Sequence, residues 1–128
     1  MANNSENFNF IINTINNTQV VHPGDSSSQI YTSDKLKGDG YYGRTDGLHT
    51  VQYSLNNFIG KIIAQCTLAD EPTDADWFSI TNTEHTANST GNNRTGSFIY
   101  NFTGNYVWVR IQIGEFTDGS VTSVTLNH

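Results

Sequence analysis

From Asn105 to Phe116, Val107, Val109, Ile111 and Ile113 occupy every second position, and Tyr106, Trp108, Arg110 and Gln112 stand between them. An amphipathic helix would bring its apolar residues back every three or four positions. A period of two instead specifies a strand with two differently clothed faces. The valines and isoleucines make a core face. The other face mixes aromatics with Arg and Gln, which suits a sheet surface covered by a loop or a neighbouring subunit better than bare solvent. The same period recurs in Leu48 to Leu55, where His49, Val51, Tyr53 and Leu55 share a face, and in Ile59 to Leu68, where Ile62, Ala64, Cys66 and Leu68 do. Ser97 to Thr103 aligns Phe98, Tyr100 and Phe102, and Trp77 to Thr81 reads as a shorter strand. Val121 to Leu126 follows Thr117-Asp-Gly119, whose Asp-Gly pair predicts a C-terminal hairpin. Asn82 to Gly96 is nearly devoid of apolar residues and reads as an exposed loop.

Strands at roughly ten-residue spacing predict one all-β domain, a β-sandwich with jelly-roll or galactose-binding-like connections. Composition agrees, because 54 of the 128 residues are Asn, Thr, Ser or Gly, all poor helix formers. The first third has only short, poorly periodic apolar patches: Phe8, Phe10, Ile11, Ile12 and Ile15, then Val20 and Val21, then Ile30 and Tyr31. Residues 1–45 are therefore expected to form an extended N-terminal arm with edge strands, and 46–128 the sandwich body. Phe8, Phe10, Ile11 and Ile12 are the candidate assembly interface of that arm. Deletion of Met1 to Val21 should then abolish docking and leave the body folded.

Six Lys and Arg, scattered against twelve Asp and Glu, form no basic stripe for a phosphate backbone, so nucleic acid is not an expected partner. No run approaches 18 apolar residues and the first residues carry no signal-peptide pattern, so no membrane partner is expected and synthesis is placed in a cytoplasm. Cys66, the single cysteine, has no intramolecular partner and reads as a buried, inert thiol.

Asp70, Glu71, Asp74 and Asp76 fall within ten residues, and Asp70, Asp74 and Asp76 are a calcium candidate. Against it, Thr73 followed by Asp76 has capping-box spacing, with Pro72 just before, which assigns these acids to one helical turn. His22, His49, His85 and His128 lack metal-ligand spacing. No Gly-X-Ser-X-Gly elbow, phosphate-binding glycine loop or Cys-X-X-Cys occurs, so neither catalysis nor a cofactor is expected. Tyr41 and Tyr42, in a Gly-rich turn, are the candidate sugar-stacking residues, together with the loop Asn82 to Gly96. Trp77 and Trp108 read as strand aromatics of the core or of a subunit interface.

Thr45-Asp-Gly-Leu-His-Thr-Val-Gln52, Phe58-Ile-Gly-Lys-Ile-Ile-Ala-Gln-Cys-Thr-Leu68 and Glu71-Pro-Thr-Asp-Ala-Asp-Trp-Phe78 resemble a β-sandwich module of virion structural proteins from tailed phages of marine bacteria, notably cyanophages. Phe102-Thr-Gly-Asn-Tyr-Val-Trp-Val-Arg110 and Phe116-Thr-Asp-Gly-Ser-Val121 resemble the same module's close, so the likeness spans roughly Asp46 to Asn127. It implies a non-enzymatic virion component, such as an exterior capsid decoration or a fibre or baseplate protein. Such a component would assemble with other virion structural proteins through β-sheet contacts and form a homo-oligomer. The alternative is a carbohydrate-binding adhesion module contacting host surface glycans.

Overall fold

The computed structural model describes residues 5–12, 15–22, 24, 27–43, 47–88 and 93–127, with 11–12 and 15–17 described by their backbone alone. In chain order the strands are β1 (Ser5–Asn7), β2 (Phe10–Ile12), β3 (Ile15–Asn17), β4 (Val20–Val21), β5 (Gln29–Thr32), β6 (Leu36–Lys37), β7 (Leu48–Thr67), β8 (Phe78–Ser79), β9 (His85–Ala87), β10 (Gly96–Thr103) and β11 (Trp108–Asn127). The two 3-10 turns, Asp74–Asp76 and Thr81–Thr83, lie in the connections flanking β8.

β7 and β11 are each 20 residues long and pair antiparallel along almost their whole length, through a register broken near Gly114 to Ser123. The predicted hairpin at Thr117-Asp-Gly119 is therefore corrected: the chain does not reverse there but continues along the same partner. The two strands expected at Leu48–Leu55 and Ile59–Leu68 are likewise one. The turn residues bend the ladder instead of ending it. Asn57 and Glu115 adopt left-handed φ values of 54° and 49°, Gly119 has φ 79°, and a Cβ at Gly119 would run into the carbonyl of Asn57. Bulges of this kind raise twist and let one strand pass between two layers.

Below the bend, β1, the last stretch of β11, the first half of β7 and β10 lie side by side. Above it, β5 and β6, the first half of β11, the second half of β7, and β8 with β9 do the same. Counting each long strand as two, β5 with β6 as one and β8 with β9 as one, and leaving aside the short β2, β3 and β4, the layers have the orders 1-8-3-6 and 2-7-4-5. That is the connectivity of a jelly-roll sandwich, one of the two arrangements expected.

The layers close on a shared core of Val51, Tyr53, Leu55, Phe58, Ile62, Ala64, Val109, Ile111, Ile113, Phe116, Val121, Val124 and Leu126. Tyr53 links them: its hydroxyl donates to the Thr83 carbonyl at 2.9 Å, and the Thr83 hydroxyl oxygen accepts the Ala64 amide of the other layer at 3.0 Å. Phe58 and Phe116 meet at the bend with ring centroids 5.3 Å apart.

The first third supplies edge strands as expected, with β1, β4, β5 and β6 each paired to β11, but the stretch around β1 and β2 is not an extended arm. Phe8 and Phe10 are fully buried in this same core, and Val20 with them. The Phe8 amide donates to Val124 in one layer, Phe10 bridges to Ser33 in the other, and Asn9 and Asp34 exchange hydrogen bonds of 2.8 and 2.9 Å. The segment crosses from one layer's edge to the other's and plugs the gap with two phenyl rings. The side chains of Ile11 and Ile12 lie outside the described residues.

Asn82 to Gly96 is not simply loop. Thr83 and His85 are buried, and His85 donates from Nε2 to the Asn93 carbonyl at 2.9 Å while its Nδ1 lies 2.8 Å from the Tyr100 hydroxyl. Residues 89–92 of this stretch lie outside the described residues.

Candidate functional site

Trp108, Arg110 and Gln112 face outward from β11, opposite Thr67, Gln65 and Ile63 of β7. The loop connecting β7 to β8 folds over this face, as the mixed aromatic and polar pattern predicts. The Trp108 indole donates to the Asp70 carbonyl at 2.9 Å. Arg110 Nε donates to Gln65 Oε1 at 2.8 Å, Nη1 lies 3.5 Å from Asp74 Oδ1, and the guanidinium sits 4.5 Å from the Trp77 ring centroid. The loop is thus tied to the sheet at two points, and Trp77 and Trp108 are both half-buried on the outer surface rather than in the core.

On the other side of Trp108, the turn after β6 brings up Tyr41, whose ring centroid is 5.1 Å from that of Trp108. Tyr42 packs edge-on against Tyr41 at 5.6 Å. Lys37 Nζ lies 4.5 Å from the Tyr41 ring centroid and Lys35 Nζ 4.9 Å from that of Trp108. Between Tyr41, Trp108 and the loop opens a cleft of about 520 Å³, rimmed by Lys35 on one side and by Asp70, Glu71 and Pro72 on the other. Its turn is fixed from below by His49, fully buried and stacked on Phe102 at 4.8 Å. His49 Nε2 accepts the Asp39 amide at 3.2 Å and Nδ1 donates to the Gly47 carbonyl at 2.8 Å, so the ring is the neutral Nδ1–H tautomer.

The candidate glycan residues Tyr41 and Tyr42 are brought together, but not with the Asn82 to Gly96 segment. That segment belongs to the β9 and β10 side of β7, whereas Tyr41 lies beyond β11. Trp108 replaces it as the partner of Tyr41. Its place in the strand alternation was readable, but its exposure was not, because the covering loop reaches only part of the ring.

The calcium candidates do not converge. Asp76 accepts the amide and hydroxyl of Thr73 at 2.7 and 3.1 Å, as the capping-box spacing predicts, and Asp74 turns to Arg110. Among the described residues no three His, Cys, Asp or Glu side chains group as metal ligands. Glu115 pairs with Lys61 at 3.6 Å on the outer surface.

A second cleft, about 610 Å³, lies on the far side of the same loop. It is lined by Cys66, Leu68, Phe78, Ile80, Asn82 and Tyr106 among others. Burial pushes the Cys66 thiol and the Tyr106 phenol above their ordinary pKa values, and the Cys66 thiol donates to the Phe78 carbonyl at 3.7 Å.

The molecule is therefore a single jelly-roll domain with an aromatic cleft on the outer face of one layer. No protein-family model matches its sequence, and no curated protein sequence does. Among solved structures it is similar to CBM29_1, a family 29 carbohydrate-binding module from Piromyces equi, with TM-score 0.49 and 10% identity over 98% of this chain and 81% of that one. It is also similar to the C-terminal CBM6 of LamC, a marine laminarinase from Zobellia galactanivorans, with TM-score 0.43 and 9% identity over 98% of this chain and 100% of that one. The jelly-roll order stands on the strand registers alone.

Proposed function

We propose that this chain is a non-enzymatic carbohydrate-binding module that takes a neutral glycan in the Tyr41–Trp108 cleft. The observation that carries the reading is an aromatic floor with an ammonium on one rim and carboxylates on the other. A pyranose presents a C–H face that stacks on aromatic rings and hydroxyls that each donate and accept. Lys35 can donate to such a hydroxyl while Asp70 or Glu71 accepts from its neighbour. The ammoniums of Lys35 and Lys37 are matched by the carboxylates of Asp70 and Glu71, so the cleft offers an anionic sugar no net positive charge, in a chain of net charge −6. Trp77 and Gln112, both half-buried, extend the polar and aromatic surface along the sheet.

A neutral-polysaccharide array followed by calorimetry tests this. Tyr41→Ala and Trp108→Ala should each weaken binding by about 30-fold, the loss of roughly 2 kcal/mol typical of a stacking anchor. Absence of any glycan binding, or binding indifferent to both substitutions, would overturn it.

As the resemblance of residues 46–127 implies, we further propose that the module is carried on a tailed-phage particle, made in the host cytoplasm and assembled with other virion proteins and copies of itself. Supporting assembly through sheet contacts is the outer face of the other layer. Residues 48–58, 96–103 and 119–127 contain no Lys, Arg, Asp or Glu. Their cross-strand pairs are neutral hydrogen bonds, Thr50 to Asn101 at 2.7 Å and Thr125 to Asn7 at 2.8 Å. Such a face meets a flat neighbour without burying a charge. Gold-tagged antibody on intact particles decides: capsid label means decoration, label at the tail tip or fibres means adhesion, and no label removes the virion placement.

A further inference from the structure

We propose that the cleft bounded by Leu68, Phe78, Ile80 and Tyr106 is a second binding site, for a small neutral ring compound bearing a hydroxyl group. This goes beyond the glycan reading and stands without it. Leu68 and Phe78 are 70% and 69% exposed, among the most exposed large hydrophobic side chains of the chain, and both form lips of one cavity. Single exposed apolar residues are ordinary, whereas two flanking a concavity of about 610 Å³ make a patch of ligand size. The cavity is held open. Its wall, the loop after β7, is pinned by the Trp108 indole at Asp70 and by Arg110 at Asp74, and so cannot collapse onto the apolar floor.

The chemistry of the lining selects the ligand. Ile80 and the lips offer apolar surface for a ring. The Tyr106 phenol and the Asn82 side-chain oxygen offer hydrogen bonds without charge, whereas the Cys66 thiol already donates to the Phe78 carbonyl at 3.7 Å and the Asn82 Nδ2 to the Asn101 carbonyl at 2.8 Å. Asp76, also at the rim, has its carboxylate engaged by Thr73, and among the described residues no Lys or Arg lines the cavity. An anion would therefore enter against a carboxylate and meet no counter-charge.

The probe is 2-naphthol, titrated into the full chain and followed by backbone amide shifts. Saturable one-to-one binding is expected, with shifts centred on residues 66–69 and 78–82. Leu68→Asn or Phe78→Asn, at side chains already exposed, should each weaken it at least 10-fold without lowering the melting temperature. The anionic 2-naphthalenesulfonate should bind at least 10-fold more weakly than 2-naphthol. Saturating probe should also slow N-ethylmaleimide labelling of Cys66. Absence of saturable binding at millimolar probe, shifts centred on Trp108, equal binding of the sulfonate, or unaltered binding by both variants would overturn the proposal. A dimer that dissociates in Phe78→Asn, with no probe site, would assign the cleft to a second copy and overturn it equally.

Discussion

Removal of Met1 to Val21 is expected to unfold the whole domain, because the segment supplies core rather than an appendage. Phe8, Phe10 and Val20 are all fully buried. Burying one such side chain stabilises by about 1.5–3 kcal/mol, so the three together contribute about 6 kcal/mol. The deletion also removes the β1 ladder against Thr125 to Asn127 and the Phe8 amide bond to Val124. A domain of this size is stable by only about 5–15 kcal/mol, so this loss takes most of the margin. The milder Phe8→Ala should cost about 3–5 kcal/mol. With a urea slope of about 2 kcal/mol per molar, its midpoint falls by about 2 M. Urea unfolding followed by tryptophan fluorescence and far-ultraviolet dichroism measures both variants. A truncated chain that still melts cooperatively at the parent midpoint, or a Phe8→Ala midpoint within 0.3 M of it (about 0.6 kcal/mol at that slope), would refute the core assignment and restore a detachable arm.

Gly119→Ala meets both a left-handed φ and the Asn57 carbonyl, and should lower stability by about 2–4 kcal/mol by differential scanning calorimetry. Burial raises the Tyr53 phenol pKa above its ordinary 10.0, so the folded state holds that proton more tightly than the unfolded chain does. Its contribution is complete below pH 10 and is lost as pH rises above it, by up to about 1.4 kcal/mol per pH unit. Urea titrations between pH 8 and 11 should show that decline, and Tyr53→Phe should flatten it. Asp76→Ala removes the acceptor for the Thr73 amide and should cost about 1 kcal/mol. Calcium or chelator should leave the melting temperature of the parent chain unchanged; a rise with calcium would return Asp70, Asp74 and Asp76 to consideration as ligands.

What the sequence made legible were the faces. His49, Val51, Tyr53 and Leu55, and Val109, Ile111 and Ile113, are buried as alternation requires, since side-chain direction in a strand is a local property. Strand ends were not local. Asp118-Gly119 is chemically a hairpin turn, and only the presence of the same partner strand on both sides makes it a bend. Phe8 and Phe10 lack a long periodic run because each fills a gap between layers as the segment crosses from one to the other. The Tyr41–Trp108 cleft was half legible: a Gly-rich turn advertised Tyr41, but its pairing with Trp108 depends on β6 lying beside the start of β11, a contact between residues far apart in the chain.

The two clefts share one wall, and the alternation that defines the fold accounts for it. Tyr106 and Trp108 are two residues apart, but β11 begins only at Trp108, so Tyr106 is free to turn toward Cys66 at the sandwich end while Trp108 faces outward. The loop from Leu68 to Trp77 lies between them, presenting Asp70, Glu71 and Pro72 to one cleft and Ala69, Ala75 and Asp76 to the other. Its anchors, the indole of Trp108 and the guanidinium of Arg110, come from the outer face of one strand. Loss of the Arg110 anchor should therefore loosen a wall of both clefts, whereas Tyr41→Ala should alter only the outer one, because Tyr41 touches the loop's cleft from the side opposite to Leu68 and Phe78.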